Sequence, residues 1–271
     1  MSESRRDTSS ELDSEGSYRE TNRSRQRKRK WVYPSKKYKG VFVLVQDNQE
    51  TLITKSVVPR IAAYEGEKRI YFLDKYKRER IEYRIWDPFK FKLAAAIRKD
   101  INNIYIMPKS KVLYLGAESG TAVSHVADIV GLDGIVYAVE SVQKHMKQLV
   151  EVAQKRSNIV PILEEAWHPY KYRMLIGMVD VIVSDIARPD YTEIVAKNAH
   201  NYLKNGGHFV IFIKMSMDPS DRYNDAWRTA RRNLENEKLR IEEYKKLDEK
   251  NNYIIVGVFD VNFNLEIRMR L

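Results

Sequence analysis

A short glycine turn followed by a distant acid has the spacing of a nucleoside-binding site. The turn is Gly116-Ala117-Glu118-Ser119-Gly120, and Glu140 stands about 20 residues later. Glycines let the backbone approach a ligand closely, and a carboxylate at that distance can accept hydrogen bonds from both hydroxyls of a ribose. The full G-x-G-x-x-G fingerprint is absent, because Glu118 and Thr121 occupy two of its glycine positions, and the charge of Glu118 would repel a pyrophosphate. We therefore predict a nucleoside cofactor without phosphates, of which S-adenosylmethionine is the commonest; a βαβ packing unit without a ligand is the alternative.

Lys92, Asp185 and Lys214 are residues whose types could activate a hydroxyl group. A ribose 2′-hydroxyl is a very weak acid, so its methylation needs a proton acceptor and nearby positive charge. Two ammonium groups can hold the hydroxyl and favour its alkoxide while a carboxylate orients them. Lysine suits this role because its pKa falls when it is desolvated beside a like charge. Taken singly, Asp185 is more readily explained as a strand-end cap and each lysine as a solvated edge residue. Taken together, the three predict a catalytic group.

The elements that position these residues alternate between strands and helices. Val112–Leu115, the glycine turn, a helical pattern that ends before Gly131, and Ile135–Val139 form one βαβ unit. Further strands are predicted at Val160–Leu163, Met178–Asp185, His208–Ile213, Arg240–Leu247 and Tyr253–Phe259. Further helices are predicted at Lys92–Lys99, Gln143–Lys155, Thr192–Leu203 (stopped by Gly206-Gly207) and Asp225–Leu239.

This alternation predicts an α/β fold with a mostly parallel, doubly wound sheet. The tight polar turn Asp248–Asn252 makes the last pair of strands antiparallel. A seven-stranded sheet with an antiparallel last strand is typical of class I S-adenosylmethionine-dependent methyltransferases. Ligands of such sheets bind beyond the carboxyl ends of the strands, which is where Glu140, Glu165, Asp185 and Lys214 fall.

The chain before the predicted parallel sheet divides into two parts that differ in amino-acid composition. Residues 1–30 carry few large apolar side chains and end in a basic cluster, so we expect a disordered tail. Residues 31–86 contain strand patterns at 40–45, 51–55, 70–73 and 81–86 and no helix, which predicts a small antiparallel β domain. Residues 87–261 would then form the methyltransferase domain, and residues 262–271 a C-terminal tail.

Composition narrows the function class further. The 271 residues have a formal net charge of +11 and a sequence pI of about 9.5, which indicates a polyanionic partner, with nucleic acid ahead of a membrane. There is no cysteine, so disulfides, thiolate metal ligands and a cysteine nucleophile are excluded. We find no apolar run that could span a membrane and no signal peptide, and expect a soluble intracellular protein without a metal site.

Five segments of the chain closely resemble the fibrillarin family, the RNA-guided ribose 2′-O-methyltransferases of box C/D ribonucleoproteins. They are YEGEKR (64–69), IEYRIWDPFKFKLAAAI (81–97), KVLYLGAESGT (111–121), HPYKYRMLIGMVDVIVSDIARPD (168–190) and NGGHFVIFIK (205–214). The resemblance implies S-adenosylmethionine as cofactor and Lys92, Asp185 and Lys214 as the catalytic group. With the glycine turn, the expected cofactor-binding residues are Gly116, Ala117, Gly120, Thr121, Ala122, Glu140, Ser141, Glu165, Ala166, Asp185, Ile186, Ala187 and Arg188.

The resemblance also implies partners and a location. The partners are guide and target RNA, a Nop-type scaffold protein and a kink-turn-binding protein, with no membrane. The location is the nucleus and nucleolus, or the cytoplasm if the source is archaeal. His125 and His208 occur in the family pattern, and we interpret them as packing or hydrogen-bonding residues and not as metal ligands.

Several positions depart from the family pattern. Ala122, Ser141, Glu165 and Arg188 stand where the family usually has threonine, an aromatic residue, aspartate and glutamine, and Asn252 stands in place of a histidine. These changes leave a catalytically weak assembly subunit as the main alternative to an active enzyme. A methyltransferase acting on protein or small molecules is a third hypothesis, which needs no basic surface.

Overall fold

The computed structural model describes residues 30–73, 78–214, 223–248 and 250–263. Its first part is a five-stranded sheet in which every pair of neighbouring strands is antiparallel, in the order β1-β2-β3-β5-β4. The strands are β1 Lys30–Pro34, β2 Val41–Gln46, β3 Gln49–Lys55, β4 Arg69–Leu73 and β5 Arg80–Ile85. This is the small antiparallel β unit expected from the sequence.

The second part is a seven-stranded sheet in the order β11-β12-β10-β9-β6-β7-β8. Its strands are β6 Lys111–Leu115, β7 Ile135–Glu140, β8 Ile159–Leu163, β9 Val179–Ser184, β10 Leu203–Lys214, β11 Leu239–Lys246 and β12 Asn252–Phe259. The helices are α1 Lys92–Arg98, α2 Thr121–Val130, α3 Gln143–Gln154, α4 Tyr191–Tyr202 and α5 Tyr223–Asn236, with a 3₁₀ turn at Pro169–Tyr172. Strands β6 to β10 are parallel and β12 is antiparallel to both of its neighbours, which confirms the class I methyltransferase fold.

The core explains why the central strands are apolar on both faces. Side chains of β6 alternate between the two sides of the sheet: Val112 and Tyr114 belong to one buried cluster, and Leu113 and Leu115 to the other. The first cluster also contains Tyr38 and Trp86 from the N-terminal part, so the two sheets share a core. The predicted division at residues 86 and 87 therefore separates two sheets whose buried surfaces are continuous, and the domain assignment stays a prediction.

Three boundaries differ from the sequence prediction for identifiable reasons. Strand β1 was not predicted; it begins at Lys30, assigned to the tail, and is defined by its antiparallel pairing with the next strand, β2. Gly206-Gly207 does not follow the end of a helix but lies within β10, where the register against β9 shifts between Leu203 and His208. Helix α5 ends at Asn236, and Leu239 belongs to β11 because Lys238 turns the chain at a φ of 67°. The tails at 1–29 and 264–271 lie outside the described residues.

A buried ionic cluster joins the two sheets. We use this name for Arg84 of β5, Glu67, and Asp128 of α2, whose side chains have no exposed surface. The Arg84 guanidinium donates to both carboxylates and, through Nη2, to Ser124 Oγ at 2.7 Å. Thr54 Oγ1 of β3 donates to Asp128 Oδ2 at 2.9 Å. The N-terminal sheet is thus bound to α2 by charge-assisted hydrogen bonds as well as by apolar packing.

Candidate active site

A cleft of about 220 Å³ opens where β6, β7, β8 and β9 end. Most of the residues that line it belong to the four loops that follow these strands, and the others to the end of β7 and the first turns of α3 and α4. The residues are Gly116, Glu118, Val139, Glu140, Ser141, Val142, His145, Glu164, Glu165, Ala166, Trp167, Asp185, Ile186, Ala187, Arg188 and Ile194. This is the carboxyl edge of the sheet, the position where open α/β folds bind ligands.

The two glycines of the turn after β6 stand where the backbone passes close to neighbouring parts of the chain. Gly116 has a φ of 79°, and a Cβ at this position would lie 3.0 Å from the carbonyl oxygen of Asp185. Gly120, with a φ of 81°, packs against helix α3, since its Cβ would lie 2.8 Å from Leu149 Cδ1. Both positions therefore exclude a side chain, and Gly116 does so at the floor of the cleft.

Glu140 is held at the end of β7 by two backbone hydrogen bonds. Its Oε2 accepts from the N–H of Glu118 at 2.7 Å, and its Oε1 accepts from the N–H of Val142 at 2.8 Å. A carboxylate has about four acceptor sites, so both oxygens keep capacity for the hydroxyls of a ribose. The bonds fix the carboxylate toward the cleft and connect the loops after β6 and β7.

The charges around the cleft match a cationic nucleoside better than a phosphate. Five carboxylate side chains line it, against a single guanidinium, that of Arg188. Val139, Ala166 and Ile186 are apolar residues beside these charges, and of them Val139 and Ala166 are buried. These residues fit S-adenosylmethionine, whose sulfonium is positively charged and whose ribose carries two free hydroxyls.

Lys92 and Asp185 meet at this edge although they lie far apart in sequence. Lys92 is the first residue of α1, Asp185 is the residue after β9, and the Lys92 Nζ donates to Asp185 Oδ1. The Lys92 side chain is 41% exposed and that of Asp185 18%. The pair is therefore open to a substrate on the Lys92 side.

Lys214 lies on the neighbouring strand without contacting this pair. It is the last residue of β10, which runs parallel to β9, and its side chain is exposed. No hydrogen bond or ion pair joins Lys214 to Asp185 within the described residues. Asn252 stands opposite Lys214 in the antiparallel pair, and its Nδ2 donates to Asp248 Oδ2 at 2.6 Å. The Asn252 side chain, which stands in place of the histidine of the family pattern, therefore stabilises the turn between β11 and β12.

Two other departures from the pattern contact each other. Arg188 Nη1 lies 3.5 Å from Glu165 Oε2, so the pair connects the loops after β9 and β8 across the cleft. Arg188 also donates to Asp190 through Nε at 2.9 Å and Nη2 at 2.7 Å. The hydrogen bond and the charge of Asp190 raise the pKa of Arg188. Arg188 is thus a permanent cation at the rim.

The structure gathers most of the expected cofactor residues, but not all of them. Nine line the cleft: Gly116, Glu140, Ser141, Glu165, Ala166, Asp185, Ile186, Ala187 and Arg188. Ala117, Gly120, Thr121 and Ala122 are not among the lining residues; Ala117 is buried and Thr121 and Ala122 begin α2. Seven lining residues were not expected from the sequence, among them His145 and Trp167. His145 could have been found from its place in the first turn of the helix that follows Glu140.

His125 and His208 contact aromatic and hydroxyl groups. His125 Nδ1 lies 2.9 Å from Thr54 Oγ1, whose proton goes to Asp128, so Nδ1–H is the donor and Nε2 accepts from Tyr64 at 3.1 Å. Burial, with Arg84 and Arg156, holds the pKa of His125 well below its usual value. His208 stacks on Tyr105. Within the described ranges no group of three His, Asp or Glu residues could hold a metal ion.

Comparison with known proteins identifies the family. The fibrillarin family model matches residues 32–261, most of the chain.

The chain belongs to the fibrillarin family.

Individual fibrillarins agree with the family match in sequence and fold. The rRNA 2′-O-methyltransferase fibrillarin of Xenopus laevis is 45% identical over 234 residues, which cover 85% of this chain and 71% of that protein. The structure of Aeropyrum pernix fibrillarin with natively bound S-adenosyl-L-methionine matches with a TM-score of 0.76 and 33% identity, covering 84% of this chain and 98% of that one. A fibrillarin/Nop5p complex contains a chain with a TM-score of 0.68 and 33% identity, covering 82% and 98%.

Proposed function

We propose that this chain is an S-adenosylmethionine-dependent RNA 2′-O-methyltransferase. Its substrates would be ribose hydroxyls of rRNA or related RNA, selected by a guide RNA within a box C/D ribonucleoprotein. The observation that carries this proposal is the Lys92–Asp185 ion pair at the edge of the carboxylate-lined cleft. It places a cation and a proton acceptor beside a site suited to a cationic nucleoside. The family membership of the chain supports the same reaction.

Each residue has a role that its position supports. Glu140, fixed by two backbone N–H groups, would hold the ribose of the cofactor, and the loops containing Gly116, Glu165 and Ala166 would enclose the adenosine. S-adenosylmethionine, when bound, supplies an electrophilic methyl group. Lys92 would hold the RNA 2′-hydroxyl and stabilise its developing charge. Asp185 would orient the ammonium and accept the hydroxyl proton as the methyl group is transferred, and Lys214 would approach from β10.

The partners follow from the same family. A Nop-type scaffold protein is the best supported, because a fibrillarin has been solved with Nop5p. We further propose guide and target RNA and a kink-turn-binding protein as partners, and the nucleolus as the location. The division into a β domain at 31–86 and a methyltransferase domain at 87–261 is proposed on the same basis. None of the helices in the described part of the chain has the length and apolar character that crossing a bilayer requires.

Methyl transfer to a guided target RNA by the reconstituted particle tests the proposal. We expect Lys92→Ala, Asp185→Ala and Lys214→Ala each to lower the rate by roughly 10²–10⁴-fold, the usual range for proton-transfer groups. The effects of double substitutions on the rate should be far from additive, because the three side chains act as one unit. Lys109→Ala, an exposed lysine paired with Asp133 away from the cleft, is the matched control. A wild-type particle that assembles, binds cofactor and transfers no methyl group would overturn the enzyme proposal.

One observation favours the alternative hypothesis that the chain is a catalytically weak assembly subunit. The Glu165–Arg188 ion pair crosses the cleft that the cofactor would occupy, and both residues depart from the family pattern. Calorimetry of S-adenosylmethionine binding to the purified chain separates the two functions. Saturable binding supports the enzyme. Absence of binding, with normal incorporation into the particle, would support a subunit kept for assembly.

A further inference from the structure

The turn that precedes Lys92 displays an aromatic ring to solvent. Phe89 is 85% exposed, unusually high for a large apolar side chain. The turn that carries it is rigid: Asp87 Oδ1 accepts the N–H of Phe89 at 2.9 Å, and the Asp87 carbonyl accepts from Lys90 and Phe91. The exposed ring is thus held in place by a hydrogen-bonded backbone.

One face of the Phe89 ring is covered by a cation. The guanidinium carbon of Arg98, the last residue of α1, lies 4.8 Å from the ring centroid. The contact restricts the ring and leaves its other face to solvent, given its exposure. The ring also borders a groove of about 780 Å³ between α1 and the N-terminal sheet, to which Arg98 and Leu52 contribute.

The surroundings of the ring are positively charged. Lys90, Arg98 and Lys99 are exposed within eleven residues of chain that also contain Lys92. The acids near the groove are already engaged: Glu50 accepts from the Tyr33 hydroxyl at 2.8 Å, and Asp87 binds the turn. An exposed aromatic ring beside exposed cations is the combination that binds single-stranded nucleic acid, by base stacking and phosphate contact.

We propose that Phe89, supported by Arg98, is a stacking platform for an unpaired RNA base next to the target nucleotide. The proposal rests on the RNA methyltransferase function proposed above and names a contact that positions its substrate. Phe89 stands three residues before Lys92, so their Cα atoms lie within about 11 Å of each other. A base stacked on the ring would therefore hold the strand beside the Lys92–Asp185 pair. Phe89 is a positioning residue, and takes no part in proton transfer.

Fluorescence of a modified target RNA tests the platform without requiring turnover. 2-Aminopurine is placed at successive positions flanking the target nucleotide, and the RNA is bound to the reconstituted particle. We expect quenching at one position with the wild type and with Phe89→Tyr, which keeps an aromatic face, but not with Phe89→Leu or Phe89→Ala. The kcat/KM for RNA in methyl transfer should fall on the order of tenfold or more in Phe89→Ala and recover in Phe89→Tyr.

Leu132→Ala is the matched control, because Leu132 is a 64% exposed apolar residue at the amino end of β7, on the opposite edge of the sheet. Cofactor binding should be unchanged in every variant. Equal rescue by Phe89→Leu and Phe89→Tyr would overturn stacking in favour of apolar packing. Loss of the scaffold protein from the Phe89→Ala particle would instead make the ring a protein contact. Normal quenching without methyl transfer in the wild type would contradict the enzyme function while supporting the platform.

Discussion

The molecule contains two sets of ion pairs built from the same groups in opposite environments. The buried ionic cluster of Arg84, Glu67 and Asp128 has no exposed side-chain surface. In the cleft, Lys92 pairs with Asp185 and Arg188 with Glu165, and the two cations are 41% and 48% exposed. The first set joins the two sheets, whereas the second surrounds the proposed reaction site.

The difference lies in how completely each charge is satisfied. Burial lowers the pKa of Arg84, but Asp128 and Glu67 outweigh it, so the pKa is raised and the guanidinium stays charged. Arg84 also donates to the carbonyl and the hydroxyl of Ser124, which leaves little capacity for other partners. Among the described residues Lys92 has one acceptor, which leaves two of its three N–H groups for other partners. A satisfied buried charge fixes the fold, whereas a half-satisfied exposed one can exchange partners with a substrate.

The largest expected difference between the two sets of ion pairs is the loss of stability when the cation is removed. We expect Arg84→Met to lower the free energy of unfolding by roughly 3–5 kcal/mol, because Glu67 and Asp128 would remain buried and lose their hydrogen-bonded cation. Arg69 at 3.8 Å from Glu67 and Arg156 at 3.9 Å from Asp128 would remain as longer ion-pair contacts. Urea unfolding followed by circular dichroism measures this change. Lys92→Met is the matched control and should unfold close to the wild type, since Asp185 stays in contact with water. A smaller loss in Arg84→Met than in Lys92→Met would contradict the comparison.

Glu140 lies between the two extremes, because it is buried but keeps free acceptor capacity. We expect Glu140→Ala to weaken S-adenosylmethionine binding by roughly 1.5–3 kcal/mol, the range for a hydrogen bond to a charged group. Titration calorimetry measures the dissociation constant. Glu193→Ala, an exposed acid on α4 paired with Lys197, is the control and should bind normally. An unchanged dissociation constant in Glu140→Ala would remove Glu140 from the site.

The cleft could largely be predicted from the sequence, whereas the buried cluster could not. Gly116, Glu140 and Asp185 stand at strand ends, and strand ends are visible as the limits of apolar runs. Asp128 and Arg84 lie 44 residues apart, and charged side chains in a sequence are normally exposed. Only tertiary packing reveals that they meet. Strand β1 was missed for a different reason: a five-residue strand is defined by its pairing with the neighbouring β2 more than by its own composition.

The smallest expected effect is the coupling energy of the Glu165–Arg188 pair, which can be compared directly with the coupling energy of the buried ionic cluster. A double-mutant cycle of Glu165→Gln and Arg188→Gln should give a coupling in unfolding experiments close to the error. Arg188 keeps its two hydrogen bonds to Asp190, and the 3.5 Å contact to Glu165 is exposed to solvent. Raising the salt concentration from about 0.1 M to about 1 M should remove the remaining coupling energy, because exposed charges are screened.

The matched cycle of Glu67→Gln and Arg84→Met should give a large coupling energy that salt does not reduce, because those side chains have no exposed surface. If the cleft cycle proved as large and as resistant to salt as the buried one, Glu165 and Arg188 would be a fixed part of the fold. The cleft would then be permanently crossed at its mouth, which would favour the assembly-subunit hypothesis over the enzyme.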